Sequence, residues 1–256
     1  MNLTNLFKIA FKALSNNKLR GFLTMLGIII GVGSVITMLA IGQGSKRSIQ
    51  AQISEMGSNM IMIHPGGDRL DAADMESLKL KDLEAIQTQA RYISYISPSV
   101  NSSGQAIFGA NNTPTTVYGI SPEYLDIRRY KVEEGDIFSE QDVKTAAKVC
   151  LVGKSVVDEL FPDGESPVGK VIRFGKIPLR IVGVLESKGY NSMGMDQDDL
   201  ILAPYTTVQK RILAITHLQS ITCSALSEEY TDQAIEEITQ ILRTNHKLKA
   251  TDEDDF

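Results

Sequence analysis

Gly21–Gly42 reads GFLTMLGIIIGVGSVITMLAIG, 22 residues without a charged side chain. At about 1.5 Å of rise per residue a helix of this length covers roughly 33 Å, enough to cross a hydrocarbon core of about 30 Å. Lys8, Lys12, Lys18 and Arg20 come before it, and the first 42 residues hold no Asp or Glu. That asymmetry predicts a cytoplasmic N-terminus, with everything after Gly42 on the far side of the membrane.

A cleaved signal peptide is the rival reading, since Ala40-Ile41-Gly42 resembles a small-x-small cleavage site. A signal core is about 7–15 apolar residues, shorter than this run. The preceding segment also favours an anchor. Leu3, Phe7, Phe11 and Leu14 fall on one helical face with Leu6 and Ala10, while Asn5, Lys8, Lys12 and Ser15 point elsewhere. Residues 1–20 thus predict an amphipathic helix lying in the inner interface, lysines toward anionic headgroups. Within the span (21–42), Gly27 and Gly31 form GxxxG, with Ser34 one turn on. Small residues let a second helix approach closely, although glycine is common in membrane helices generally.

Charge divides the chain. Residues 1–42 carry +4 and residues 43–256 carry −9, which sum to the net −5. An acidic outer part argues against nucleic acid as a partner, because phosphate binding wants a basic face. The residues after Gly42 suffice for a sizeable core. Cys150 and Cys223 sit in apolar strand-like runs and read as small buried hydrophobes; their spacing leaves a disulfide open.

Past the span, residues 43–57 predict a stalk helix, with Ile49, Ile53 and Met56 stacked and Gly57 as its cap. Strands are predicted at Asn59–Ile63, Tyr92–Ser97, Ala106–Phe108 and Thr115–Tyr118, with a helix at Leu80–Gln89. Residues 119–214 predict a mostly β insertion: a tight turn at Gly135, strands at KVCLVG, Lys170–Phe174, Leu179–Leu185 and Leu200–Pro204, and helices at Lys154–Phe161 and Thr206–Leu213. Ser220–Leu226 then predicts a strand, and Thr231–His246 an amphipathic helix burying Ala234, Ile238, Ile241 and Leu242. The chain stops at TDEDDF, an acidic end expected to lack closing structure and to look cut. The fold class is α+β.

Catalytic patterns are weak. Gly164–Lys170 fits GxxxxGK, but Val171 stands where a Ser or Thr would meet magnesium, and Pro167 removes an amide from the cradle. The helix-before, strand-after order is also reversed, so a turn is expected. His64, His217 and His246 are scattered, which argues against structural zinc. Asp196, Asp198 and Asp199 lack a calcium loop's distal glutamate and are expected in a solvated loop. No spacing proposes a nucleophile, a metal site or a cofactor site.

Taken in order, the basic helix leading into LRGFLTMLGIIIGVGSVI, then QISEMGSNMIMI, YGISPEYLDIRRYKVEEGDIF, KVCLVGKSVVDELF, SPVGKVIRFGKIPLRIVGVLE, DQDDLILAPYTTVQKR and the ILRTNHKL…DDF ending resemble the permease subunits of MacB-type ABC transporters. The resemblance implies an outer domain of two parts, a discontinuous porter-like α/β subdomain at 58–118 and 215–256 and a β-rich inserted subdomain at 119–214. It implies an N-terminal portion lacking three further spans. It also implies a homodimer in the inner membrane, a separate ATPase subunit, and possible partnership with a periplasmic adaptor and an outer-membrane channel. The function expected is to transmit ATP-driven motion to a periplasmic domain for export of an unknown substrate. Alternatives are lipoprotein release, wall-hydrolase control or antibiotic sensing on the same fold, or a single-span anchored binding or scaffold module.

Overall fold

The apolar stretch is the middle of one long helix, α1 (Lys18–Glu55), which runs unbroken through Gly42 and Gly44. The computed structural model describes residues 5, 7–9, 12, 18–55, 59–66, 77–191, 194–249 and 251–256. Of the segment expected to form an interfacial helix, Asn5, Phe7–Ile9 and Lys12 are described; they are helical and exposed. Leu3, Leu6, Ala10, Phe11 and Leu14, and the stalk residues Met56 and Gly57, lie outside the described residues.

Residues 52–256 form a second unit built on a nine-stranded sheet path, with the order β1-β9-β2-β3-β8-β5-β7-β4 and β6 to the side. Its strands are β1 (Met60–Ile63), β2 (Ile93–Phe108), β3 (Asn111–Ile120), β4 (Val132–Gly135), β5 (Val149–Val152), β6 (Val171–Phe174), β7 (Ile177–Leu185), β8 (Ile201–Pro204) and β9 (Ser220–Ala225). Helices α2 (Leu80–Gln89) and α7 (Thr231–His246) pack together beside β2 and β1 respectively. The apolar face of α7, Ala234, Ile238, Ile241 and Leu242, is buried as its periodicity predicts.

Strand β2 differs from expectation. Turn signals at Pro98, Asn101 and Gly104 predict two short strands, yet 16 residues run as one. Residues 93–99 pair antiparallel with β9, and 100–108 pair antiparallel with β3. Gly104 serves packing here: a Cβ would stand 2.8 Å from Phe174 Cζ, so the ring lies directly on the strand. Gly109, at φ +58, takes the positive-φ position of the turn into β3.

Alternation explains the continuous apolar runs. On β5, Cys150 and Val152 join the larger core while Val149 and Leu151 join a second, smaller one. On β8, Ile201 and Ala203 go to the first and Leu202, with Leu200 just before the strand, to the second. Successive side chains point to opposite faces, and both faces are covered.

The 119–214 region is mixed rather than mostly β. Between its strands lie α3 (Tyr124–Arg128), α4 (Glu140–Thr145), α5 (Lys154–Leu160) and α6 (Tyr205–Thr207), which continues into a π-helical stretch, Val208–Leu213. Helix α4 buries a single apolar side chain, Val143, so it carries no periodic signal. Its start is set by a capping box. Asp142 N donates to Ser139 Oγ, while Ser139 N donates to Asp142 Oδ2 at 2.8 Å.

The acidic end is also tied down, contrary to expectation. Arg243 pairs with Asp254 and donates to the carbonyls of Lys249 (2.6 Å) and Asp252 (3.0 Å). Ser77 Oγ and Gly66 N both donate to the carbonyl of Asp255, at 2.7 and 2.9 Å. The acidic residues meet a basic residue and a histidine on the last turns of α7, which composition alone does not reveal.

Candidate functional site

Gly21–Lys46 is long and apolar enough to cross a membrane, and the side chains from Phe22 to Lys46 are all exposed within the unit. An apolar surface of this length suits the hydrocarbon core of a bilayer. Backbone polar groups must then be satisfied inside the helix. The hydroxyls comply too: Ser34 Oγ donates to the carbonyl of Gly31 at 2.9 Å, and Thr37 Oγ1 to that of Gly33 at 2.8 Å. A Cβ built on Gly27 or Gly31 would meet nothing within 4 Å, so this surface is open. Lys8, Lys12 and Lys18 are exposed; the side chain of Arg20 is outside the described set.

The GxxxxGK segment is a structural turn. Gly169 N donates to the carbonyl of Ile181 at 2.8 Å, and Lys170 N to that of Pro167 at 3.1 Å. Lys170 Nζ is held by Glu165 at 2.8 Å. These amides and this ammonium are spent within the protein rather than gathered toward a phosphate.

The aspartate trio corrects the solvated-loop expectation. Asp198 is 5 % exposed. Its carboxylate accepts from Ser187 Oγ (2.5 Å), Lys188 N (2.8 Å) and Gly189 N (2.9 Å). Asp196 accepts from Asp198 N (2.9 Å) and from Ser155 Oγ (2.6 Å). A carboxylate that replaces its water with three donors can be buried. Asp199 stays exposed, and among the described residues no group of side chains has metal-site geometry.

His246 sits between two carboxylates. Its Nδ1 lies 2.7 Å from Asp255 Oδ1, its Nε2 3.1 Å from Asp82 Oδ1, and its ring meets Phe256 edge-on. The contact to Asp82 is an ion-pair approach rather than an aligned hydrogen bond. Burial lowers the imidazole pKa, but the hydrogen bond to Asp255 and the charges of Asp82 and Asp255 outweigh it, and the net shift is upward. Cys150 and Cys223 are free, buried thiols on different strands; burial alone raises both, Cys223 to about 12. Such thiols are unreactive.

One cleft in the second unit has both polar and apolar walls. It holds about 300 Å³ between α2, the first half of β2, α4 and Tyr205. No sequence signal marks it, because its walls come from four separate stretches of chain. A second depression, of about 500 Å³, is lined by Glu133, Glu134, Asp158 and Glu165. There Lys154 pairs with Glu133 at 3.3 Å, and Ser166 Oγ donates to Glu134 at 2.5 Å.

An apolar helix of membrane-crossing length followed by a mixed α+β unit defines a membrane-tethered domain. Residues 22–241 match the family model described as MacB-like periplasmic core domain, and the chain belongs to that family. It is 39 % identical over 232 residues to the macrolide export ATP-binding/permease protein MacB of Syntrophobacter fumaroxidans, covering 88 % of this chain and 32 % of that protein. The corresponding figures for the protein of the same name in Pectobacterium atrosepticum are 35 % identity over 246 residues, 95 % and 37 %. The chain therefore spans about a third of the length of the curated relatives it matches. Among solved structures, the periplasmic region of MacB from Actinobacillus actinomycetemcomitans superposes with a TM-score of 0.65 at 27 % identity, covering 76 % of this chain and 87 % of that one. The extracellular domain of YknZ, a noncanonic ABC-type transporter from Gram-positive bacteria, shares the fold at 20 % identity, with a TM-score of 0.62 and 75 % and 96 % coverage.

Proposed function

We propose that this chain is the N-terminal portion of an ABC transporter permease subunit that carries ATP-driven motion across the inner membrane to a periplasmic domain, for export of an unknown substrate. The observation that carries this reading is the continuity of α1: the apolar, exposed stretch and the segment after it are one 38-residue helix in a chain of the MacB-like family. A stiff helix transmits displacement where a flexible linker would absorb it. In this reading Lys8, Lys12, Lys18 and Arg20 hold the N-terminus in the cytoplasm. The face of Gly27, Gly31 and Ser34 packs on another membrane helix, most simply in a homodimer.

ATP hydrolysis belongs to a separate partner subunit. The outer part divides into a porter-like subdomain (58–118 and 215–256) and an inserted one (119–214). A second, smaller core is drawn from residues between 120 and 202, while the larger core joins residues of both parts. A periplasmic adaptor and an outer-membrane channel complete the assembly. The curated relatives are named for macrolide export, which makes macrolides the first substrate class to assay.

The test is affinity purification of the tagged polypeptide, expressed from its own gene, from native membranes. An ABC ATPase co-purifying with ATP hydrolysis is expected. Its absence in mild detergents and in nanodiscs alike would remove the mechanism.

A further inference from the structure

We infer that Gly42–Ser45 is a bending point built into α1, at which the helix tilts sideways where it leaves the bilayer. The inference rests on reading α1 as a membrane-crossing helix and does not require an ATPase.

Helix α1 is continuous from Lys18 to Glu55, so Gly42 and Gly44 sit in a helix interior, where only proline is less favourable than glycine. Neither takes a positive φ, so the backbone there does not call for glycine. Space does not call for it either: a Cβ on Gly42 or Gly44 would meet nothing within 4 Å. Close approach of a neighbouring helix, the reading given to Gly27 and Gly31, accounts for one of the two at most. Residues four apart share a helix face, whereas residues two apart point about 200° from each other. What Gly42 and Gly44 share is a weak turn.

Position sets these two apart from the other glycines of α1. The apolar run ends at Gly42, and Gln43, Ser45 and Lys46, which follow, are polar and exposed. Gly27, Gly31 and Gly33 lie deeper in the run, where no water competes for a backbone carbonyl and the helical hydrogen bonds are held. Gly42 and Gly44 are exposed at its end, and without a Cβ their backbone is open to water. Sharp kinks in long helices occur at such Gly and Ser sites.

The mechanical consequence is directional. A push along the axis passes through an intact helix, while a sideways displacement of either end is taken up by this one turn. The apolar segment then keeps its tilt in the lipid while the segment past Ser45 changes direction.

The test is pulsed electron–electron double resonance on the full chain in nanodiscs, diluted with unlabelled chain. Nitroxides at Val32→Cys and Gln50→Cys span the bend. A control pair, Phe22→Cys and Ala40→Cys, has the same spacing inside the apolar run. In a straight helix both pairs lie about 27 Å apart on one face. Cys150 and Cys223 are buried, so they stay in place and unlabelled. The distance distribution across the bend should be the wider of the two. Gly42→Ala with Gly44→Ala should narrow it to the width of the control pair. Equal widths for the two pairs in the unsubstituted chain would overturn the inference. So would an unchanged width in the double alanine variant, which would trace the spread to fraying of the helix end.

Discussion

His246 Nδ1 stands 2.7 Å from Asp255 Oδ1, and this contact ties the last helix to the end of the chain. The same ring approaches Asp82, whose Oδ2 accepts from Lys79 N at the start of α2. One imidazole therefore joins three segments. Because its pKa is raised in the folded protein, the protonated form is the one that stabilises. That contribution is complete below the unfolded value of about 6.5 and is lost as pH climbs through the folded value. Thermal unfolding from about pH 6 to about pH 9 should show the loss on the alkaline side of the ordinary histidine range. His246→Gln should flatten it; an unchanged pH profile in that variant would show that another group is responsible.

Asp198 organises the loop that follows β7. Replacing it with Ala removes the acceptor for the half-buried amides of Lys188 and Gly189 and for the hydroxyl of exposed Ser187. The expected cost is about 1–3 kcal/mol, since water can reach part of what is left unpaired. Trypsin should cut after Lys188 much faster in the variant, and equal cleavage rates would count against the assignment.

Gly135 closes β4 at φ +81, where an added Cβ would lie 2.2 Å from the carbonyl oxygen of Val182. Both the backbone conformation and the space refuse a side chain. Gly135→Ala should destabilise by about 3 kcal/mol or more, read as a fall in melting temperature or as loss of soluble expression. A variant that melts with the parent would contradict this geometry.

Lys247 ends α7 in the left-handed region at φ 59, without the freedom of a glycine. Its N–H and that of Leu248 close the helix on the carbonyls of Thr244 and Arg243. Lys247→Gly should stabilise by about 1 kcal/mol, raising the melting temperature by roughly 2–4 °C. A lower melting temperature would mean that the lysine side chain contributes more than its backbone costs.

Elements with a long periodic signal were legible from the residues: Leu80–Gln89 and Thr231–His246 match their ranges in the structure, and the apolar run Gly21–Gly42 lies inside one longer helix. Gly135 was legible as a turn because only glycine tolerates that conformation. Helix α4 was not, since a six-residue helix with one buried apolar residue has no period to detect. The unity of β2 was hidden for another reason. Gly104 reads locally as a breaker, and only the distant Phe174 reveals what it is for. The roles of Asp198 and His246 were invisible because their partners lie elsewhere in sequence or fold back onto them. The cleft is the extreme case, as Ile86, Ser121, Val143 and Tyr205 come together only through the tertiary fold.

Strand β2 belongs to two pairings at once, with β9 along its first half and β3 along its second. A load pulling β9 away from β3 along the strand direction would act on β2 as shear, engaging many backbone hydrogen bonds together instead of unzipping them singly. Neither half can let go of β2 without exposing core shared with the other, so the two should melt as one cooperative event. Hydrogen exchange would register this as equal, late protection of amides on both halves of β2.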